Sequence, residues 1–312
     1  MELFKKKTHI DFMSKRRLAL ILSIGLVLLS LVLIIFRGLN FGLDFTGGVL
    51  LEVGYKQPVE LSEIRGTLAE AGYGEAMVQH FGSMREVLIR LAPRESQNSA
   101  EISNAVLNAL QAGDDSRVNL RRVEFVGPQV GEELTEDGWL AMFYALIGIL
   151  IYVALRFEYR FAIGAVAALI HDVLITLGVF SVFWFEFNLT VLAAVLAVIG
   201  YSLNDTIVIS DRIRENFRKL RKATTLEVMN ISLNETLSRT VMTGVTTLMV
   251  LVAFYFLGGE AIHGFSIALI IGVFVGTYSS IYIASPIALA LGVSKADFIL
   301  TKHESTSRDD RL

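Results

Sequence analysis

Residues 189–210 read LTVLAAVLAVIGYSLNDTIVIS, an apolar run in which Asp205 is the only charged side chain. A helix of about 20 such residues spans a bilayer core. The run shows no alternation of a strand kind, and inside lipid a segment must satisfy its own backbone groups, so it predicts a helix. Five further blocks share this character, approximately Leu18–Phe36, Gly138–Leu155, Phe161–Phe185, Leu237–Leu257 and Phe265–Leu291. Of the 312 residues 53% are hydrophobic and 19% charged, less charge than a soluble domain of this length needs for a surface facing water. The reading is a polytopic α-helical membrane protein with six transmembrane helices.

The first block follows Lys5, Lys6, Lys7, Lys15, Arg16 and Arg17. At about 19 residues it is longer than the 7–15 of a signal-peptide core and has no small-x-small exit, so it reads as an uncleaved helix. The net charge of −3 carries no message about nucleic acid. There is no cysteine, which excludes disulfides, thiolate nucleophiles and cysteine-ligated metals.

Basic residues set the expected orientation. They crowd the N-terminus, the connection with Arg156 and Arg160, the connection with Arg212, Arg214, Arg218, Lys219, Arg221 and Lys222, and the tail with Lys295, Lys302, Arg308 and Arg311. The short turns Glu186-Phe187-Asn188 and Gly258-Gly259-Glu260 carry none. Six alternating helices put every basic connection on one side, so both termini are expected in the cytoplasm. The expected division is residues 1–17 as N-terminus, 18–36 as the first helix, and 37–137 as an extracytoplasmic domain. Residues 138–292 follow as helices two to six with a loop at about 211–236, and 293–312 as a tail.

Within the domain, Val49–Tyr55 reads as a strand, Leu61–Ala71 as an amphipathic helix, and Ala76–Phe81 and Glu86–Leu91 as strands. Ala100–Gln111 reads as a second helix and Asn119–Val126 as a last strand. The order β-α-β-β-α-β is the ferredoxin-like arrangement. Gly127-Pro128 ends the last strand, and Glu132, Glu133, Glu136 and Asp137 suit a polar approach to the second span.

No P-loop, HExxH or nucleophile elbow occurs. His9, His80, His171, His263 and His303 have no metal-ligand spacing, so no catalytic residue, metal or cofactor is expected. Gly42-x-x-x-x-Gly47-Gly48 lacks the lysine of a phosphate loop and reads as a turn at the membrane surface. More informative are the charges inside apolar blocks, Asp172, Asp205 and Arg239, which are costly in lipid without a partner or a task. At 1.5 Å per residue Asp205 lies about 24 Å and Arg239 about 27 Å below the outer surface, so antiparallel neighbours can pair them. By the same rule Asp172 sits about 16 Å above the cytoplasmic start of its helix. Small and polar neighbours of Asp205 (Gly200, Tyr201, Ser202, Asn204, Thr206) allow close helix approach and water entry. A carboxylate that gains or loses an arginine partner is a natural proton relay. The plainer alternatives are a salt bridge that locks two helices and, for Asp172, a helix–helix hydrogen bond with His171. Asp211 and Glu215 suit a solvated helix end, and Glu186 and Glu260 lie in outer turns with no special role.

Three stretches, Phe41-Gly-Leu-Asp-Phe-Thr-Gly-Gly48, Val198-Ile-Gly-Tyr-Ser-Leu-Asn-Asp-Thr-Ile-Val208 with Asp211-Arg212, and Ser238-Arg-Thr-Val-Met-Thr-Gly244, closely resemble signatures of the SecD/SecF family of the resistance-nodulation-division (RND) superfamily. The order of one helix, a domain and five helices agrees, and the single domain resembles the SecF type. That resemblance implies a bacterial inner-membrane transport subunit with no enzymatic activity. It would pair with SecD into twelve helices, associate with YajC and the SecYEG channel, and use inward proton flow to draw exported preprotein chains outward. It further implies a part in proton passage for Asp205 and Arg239, with Asp172 as a further candidate. Gly42, Asp44, Phe45, Gly47, Gly48, Gly200, Ser202 and Asn204 stand as signature residues. Rival readings are half of an RND exporter of lipids or small molecules, a passive scaffold, and an intramembrane aspartyl protease with Asp172 and Asp205 as its dyad. Against the last, Asp205 follows Leu-Asn rather than Gly-x-Gly, and a nearby arginine opposes the protonated partner a dyad requires.

Overall fold

The computed structural model describes residues 8–93, 99–112, 118–220, 222–294 and 297–298. The expectations placed on Lys5, Lys6, Lys7, Arg221, Lys295, Lys302, His303, Arg308 and Arg311, and on the side chain of Glu260, lie outside the described residues.

A 3₁₀ turn, Met13–Lys15, leads into α1 (Arg16–Phe36). The two-residue strand β1 (Asn40–Phe41) and the single helical turn α2 (Leu43–Thr46) follow. The domain then runs β2 (Gly48–Tyr55), α3 (Leu61–Glu70), β3 (Met77–Phe81), β4 (Ser83–Leu91), α4 (Ser99–Gln111) and β5 (Val118–Val126). This is the strand and helix order read from the pattern. The sheet order is β3-β4-β2-β5, with every neighbouring pair antiparallel. On one sheet face Val49, Leu51, Val53, Val87 and Ile89 pack beneath Ile64 and Leu68 of α3 and Ile102 and Val106 of α4. On the other face Leu50 and Leu88 meet Leu43 of α2.

Tyr55 ends β2, and its phenol is pushed up to about 12 by burial, with the charge of Glu63 acting the same way. The folded domain thus holds this proton more tightly than the unfolded chain. Its share of stability is complete below pH 10 and is lost as pH rises toward 12. Ultraviolet titration of the folded chain should include a late phenol step that belongs to Tyr55. Replacing Tyr55 with Phe should remove that late step, and an unchanged profile would refute the assignment.

Five more spans complete the bundle. α5 (Pro128–Arg156) starts ahead of its apolar block, because Gly127 is extended and Pro128 at the first helical position needs no amide partner. The carboxylates at 132–137 therefore lie on a helix that continues into the span. α6 (Tyr159–Phe183) ends on Trp184, a left-handed residue with φ of 57°. The two-residue strand β6 (Glu186–Phe187) pairs in parallel with β1. α7 (Leu189–Lys219) begins at an Asn188 cap, and α8 (Thr225–Leu257) at a reciprocal Thr224/Glu227 capping box.

The last apolar block is not one regular helix. α9 (His263–Ser279) passes into a π turn, Ser280–Ala284, before α10 (Ser285–Ala290). Pro286 has no amide for the carbonyl four residues back, so the ladder widens there. The Ser285 hydroxyl donates to Ser280 O at 3.1 Å.

Small residues let the helices close up. A Cβ on Gly272 of α9 would lie 2.1 Å from Val198 of α7, one on Gly276 3.0 Å from Ser202, and one on Gly178 of α6 2.2 Å from Ser30 of α1. At the end away from the domain the connections gather. Asn234 of α8 exchanges two 2.8 Å hydrogen bonds with the backbone of Ile10, and Asn230 accepts from Met13 N at 3.0 Å. Arg156 meets Asp211 at 2.7 Å, and Glu215 meets Arg212 and Lys219, so the expected solvated helix end is an ion network reaching α5. Arg160 reaches Asp297 at 2.5 Å, while Phe298 stacks on Phe217.

Candidate functional site

Asp172 lies wholly buried in α6, facing α7 and α9. Its Oδ2 accepts from Ser202 of α7 at 2.5 Å and from Ser279 of α9 at 2.8 Å, while Oδ1 meets Nδ1 of His171 at 2.9 Å. A second hydroxyl pair, Thr206 with Ser280 at 2.9 Å, ties α7 to the π turn. Three helices are thus joined through one carboxylate whose oxygens are both engaged. The bond with His171 is present, but contrary to expectation it lies within α6 and joins no second helix; Ser202 and Ser279 make the three-helix knot.

Asp205 is on the same helix as Ser202 and is 2% exposed, yet its Oδ2 has no hydrogen-bond partner among the described residues. The direct pair with Arg239 expected from depth does not form among the described residues. The reason is angular. Equal depth brings two residues level, but successive helix positions turn by about 100°. Thr240, the next residue, takes the buried position on α8 with its Oγ1 also unpartnered, and Arg239 is left exposed on the flank. The guanidinium still acts on Asp205 through its charge. Gly200 and Asn204 are likewise exposed, on α7. No hydrogen bond joins Asp172 to Asp205 among the described residues, which gives a shared-proton dyad no support. No group of histidine and carboxylate side chains suited to a metal occurs among the described residues.

The glycine-rich signature does form a turn, but it is also a junction. Gly42 N donates to Phe187 O at 2.8 Å, and a Cβ there would meet Asn188 at 2.8 Å. Asp44 Oδ2 accepts from Leu189 N at 3.0 Å, satisfying a first-turn amide of α7 alongside the Asn188 cap. Phe45 stacks on Phe187 with ring centroids 5.9 Å apart. Gly47 has φ of 64° and lies against Pro128, where a Cβ would stand 3.2 Å from its Cα. Gly48 has φ of 120° and brings β2 onto Leu91 of β4.

Arg90 and Asn40 of this junction escaped the sequence reading, and Glu186, expected to have no special role, is the partner of Arg90 here. Arg90 of β4 is 9% exposed. It donates to Phe41 O at 2.6 Å, reaches Asn40 Oδ1 at 3.5 Å, and pairs with Glu186 at 2.7 Å. Asn40 in turn donates to Trp184 O at 3.1 Å. The Glu186 carboxyl is raised by burial; Arg90 opposes that rise, and the charges of Asp44 and Glu124 add to it. Glu186 therefore has a specific partner. A signal did exist: Arg90 interrupts Leu88-Ile-Arg-Leu91 on the sheet face away from the domain helices, so an arginine there needs cover.

Residues 106–294 match the family described as protein export membrane protein SecD/SecF, C-terminal, and residues 32–59 match the SecD/SecF GG motif. The first match takes in Asp172, Asp205 and Arg239, and the second Gly42 to Gly48. The chain is 51% identical over 294 residues to the protein translocase subunit SecF of Vibrio alginolyticus, covering 94% of this chain and 93% of that one. It is 52% identical over 303 residues to the Pseudomonas aeruginosa protein of the same name, covering 97% of each. Among solved structures, SecDF of Thermus thermophilus, a translocon-associated membrane protein, superposes with a TM-score of 0.84 at 37% identity. That match covers 93% of this chain and 39% of the longer one.

Proposed function

The chain belongs to the SecD/SecF family of protein-export membrane proteins, and from that premise we propose that it is the SecF-type subunit of the Sec export machinery. Together with SecD it uses the proton-motive force to promote late steps of preprotein movement through SecYEG, with YajC as a further associate. It is a transport subunit rather than an enzyme, and it lies in the inner membrane. The basic connections support a reading with both termini in the cytoplasm and the ferredoxin-like domain in the periplasm.

One observation supports the proton-driven reading most. Two carboxylates are buried in one bundle; Asp172 has both oxygens engaged, and Asp205 keeps an oxygen free of any described partner. A buried polar atom left unpaired calls for an explanation, and an ionisable one inside a span points to a functional site. Asp205 is the group that takes and releases the proton. Arg239 biases that exchange through space, and Asp172 holds α6, α7 and α9 around it. Asn204 and Arg239, polar side chains on the outer surface of the bundle, suit cover by the SecD half. One charge crossing 100 mV releases about 2.3 kcal/mol, enough to reverse the preference between two close conformations.

The test is export by inverted membrane vesicles that contain the SecD partner, with and without an imposed proton gradient. Asp205→Asn should assemble normally and lose the gradient-dependent gain. If it assembles and keeps the full gain, Asp205 is structural and the coupling proposal fails.

A further inference from the structure

Asp205 lies midway along α7, and the outer end of that helix begins one residue after β6. That outer end is joined to the domain through a short route. Arg90 projects from the domain sheet, donates a hydrogen bond to the Phe41 carbonyl of β1 and forms an ion pair with the Glu186 carboxylate of β6, while β1 and β6 are paired with each other. The same ribbon is fixed to the first turn of α7 by Asp44 at Leu189 N, and Gly42 N bonds to Phe187 O.

Resting on the proton-driven reading above, we propose that Arg90 is the positioning residue of a closed joint that makes the domain follow the outer end of α7. The choice of side chain fits that task. A guanidinium is a rigid planar fork, so its directed bond to the Phe41 carbonyl fixes an orientation while its charge holds the Glu186 carboxylate 2.7 Å away. A lysine in its place would hold only a distance. The fork is almost fully buried, where water competes little for its bonds. Arg90 also stands apart from the core that folds the domain. That core lies on the opposite sheet face, under α3 and α4, so loss of Arg90 should loosen the joint and leave the domain folded.

The experiment uses the full chain with its SecD partner in inverted vesicles and reads two quantities together, gradient-dependent export and dissipation of the imposed proton gradient. The chains compared are wild type, Arg90→Gln, Arg90→Lys and Asp205→Asn. Arg90→Gln should assemble, dissipate the gradient at the wild-type rate, and lose about tenfold of the gradient-dependent gain, the scale of a lost charge-assisted bond. Arg90→Lys should fall between the two. A purely structural role would not separate proton flow from export. If Arg90→Gln keeps the gain, or loses proton flow together with export, the joint is refuted. Should Arg90→Gln not be recovered in the complex, Glu186→Gln, which leaves the bond from Arg90 to Phe41 O in place, is read by the same two measurements. Asp205→Asn separates the failures. If it keeps the gain, the proton-driven reading falls and the joint falls with it; if it loses the gain while Arg90→Gln keeps it, only the joint is wrong.

Discussion

Gly48→Val is expected to leave the domain sheet unable to close, and the chain should fail to accumulate in a protease-resistant form. At φ of 120° the backbone of Gly48 occupies a region that residues with a side chain rarely adopt, and a Cβ there would lie 2.2 Å from the carbonyl oxygen of Leu91. That oxygen is backbone of β4, opposite the neighbouring residue in the Val49–Leu91 pair, so it cannot move aside without breaking the ladder. Backbone strain of about 1–3 kcal/mol adds to overpacking of about 1–3 kcal/mol. Together they approach the 5–15 kcal/mol that typically holds a domain together. Gly66 supplies the control, since it lies in the exposed interior of α3 with nothing within 4 Å of an added Cβ. Gly66→Ala should raise stability by about 0.5–1 kcal/mol. Urea titration of protease resistance across the three chains measures both effects. A Gly48→Val domain as resistant as wild type would contradict the geometry.

Asp172→Ala should be the most damaging single change inside the membrane. It removes the acceptor for Ser202 and Ser279 and the partner of His171 Nδ1 in one step. Two scales bound the cost. A buried group stranded in a water-soluble core loses about 1–3 kcal/mol, whereas interhelical hydrogen bonds in lipid average about 0.6 and reach about 1.7 kcal/mol. The membrane scale governs here because both serines can turn toward carbonyls of their own helices. Ser279 already donates to Gly276 O at 3.1 Å. The two interhelical bonds then amount to about 1–3 kcal/mol, with the His171 bond inside α6 lost besides, enough to lower the unfolding midpoint in detergent. Asp172→Asn keeps one acceptor and the shape, and should lose much less. The pair also tests the division of labour between the two aspartates. If Asp172→Asn proved fully stable yet lost the gradient-dependent gain, Asp172 would belong to the proton path rather than to the knot that supports it.

The six spans were legible because each is long, apolar and bounded by charge, and the domain because its apolar residues alternate at two distinct periods. Helix starts were less visible. Pro128 and Thr224 carry cap signals, but polar residues between the cap and the lipid-facing block conceal that the helix is continuous. That Asp205 and Arg239 come near each other was legible from simple rise, while rotation was not. Which of Arg239 and Thr240 turns inward depends on how α8 leans on α7 and α9, and that information resides in the neighbours. The joint was hidden for another reason: Arg90 and Glu186 lie far apart along the chain and meet only because β1 and β6 pair, two strands too short to announce themselves.

The π turn at Ser280–Ala284 has a consequence for how this chain tolerates changes of length. Elsewhere in the spans, deleting one residue turns everything beyond it by about 100° and moves lipid-facing side chains into the bundle. A π turn is a regular helix that has taken in one surplus residue. Excising that surplus leaves both flanks pointing where they did, with Pro286 still one amide short of an ordinary ladder. Ser279 would keep its aspartate, and the damage of such a loss would stay local, at the Thr206–Ser280 bond and the buried packing of the turn itself.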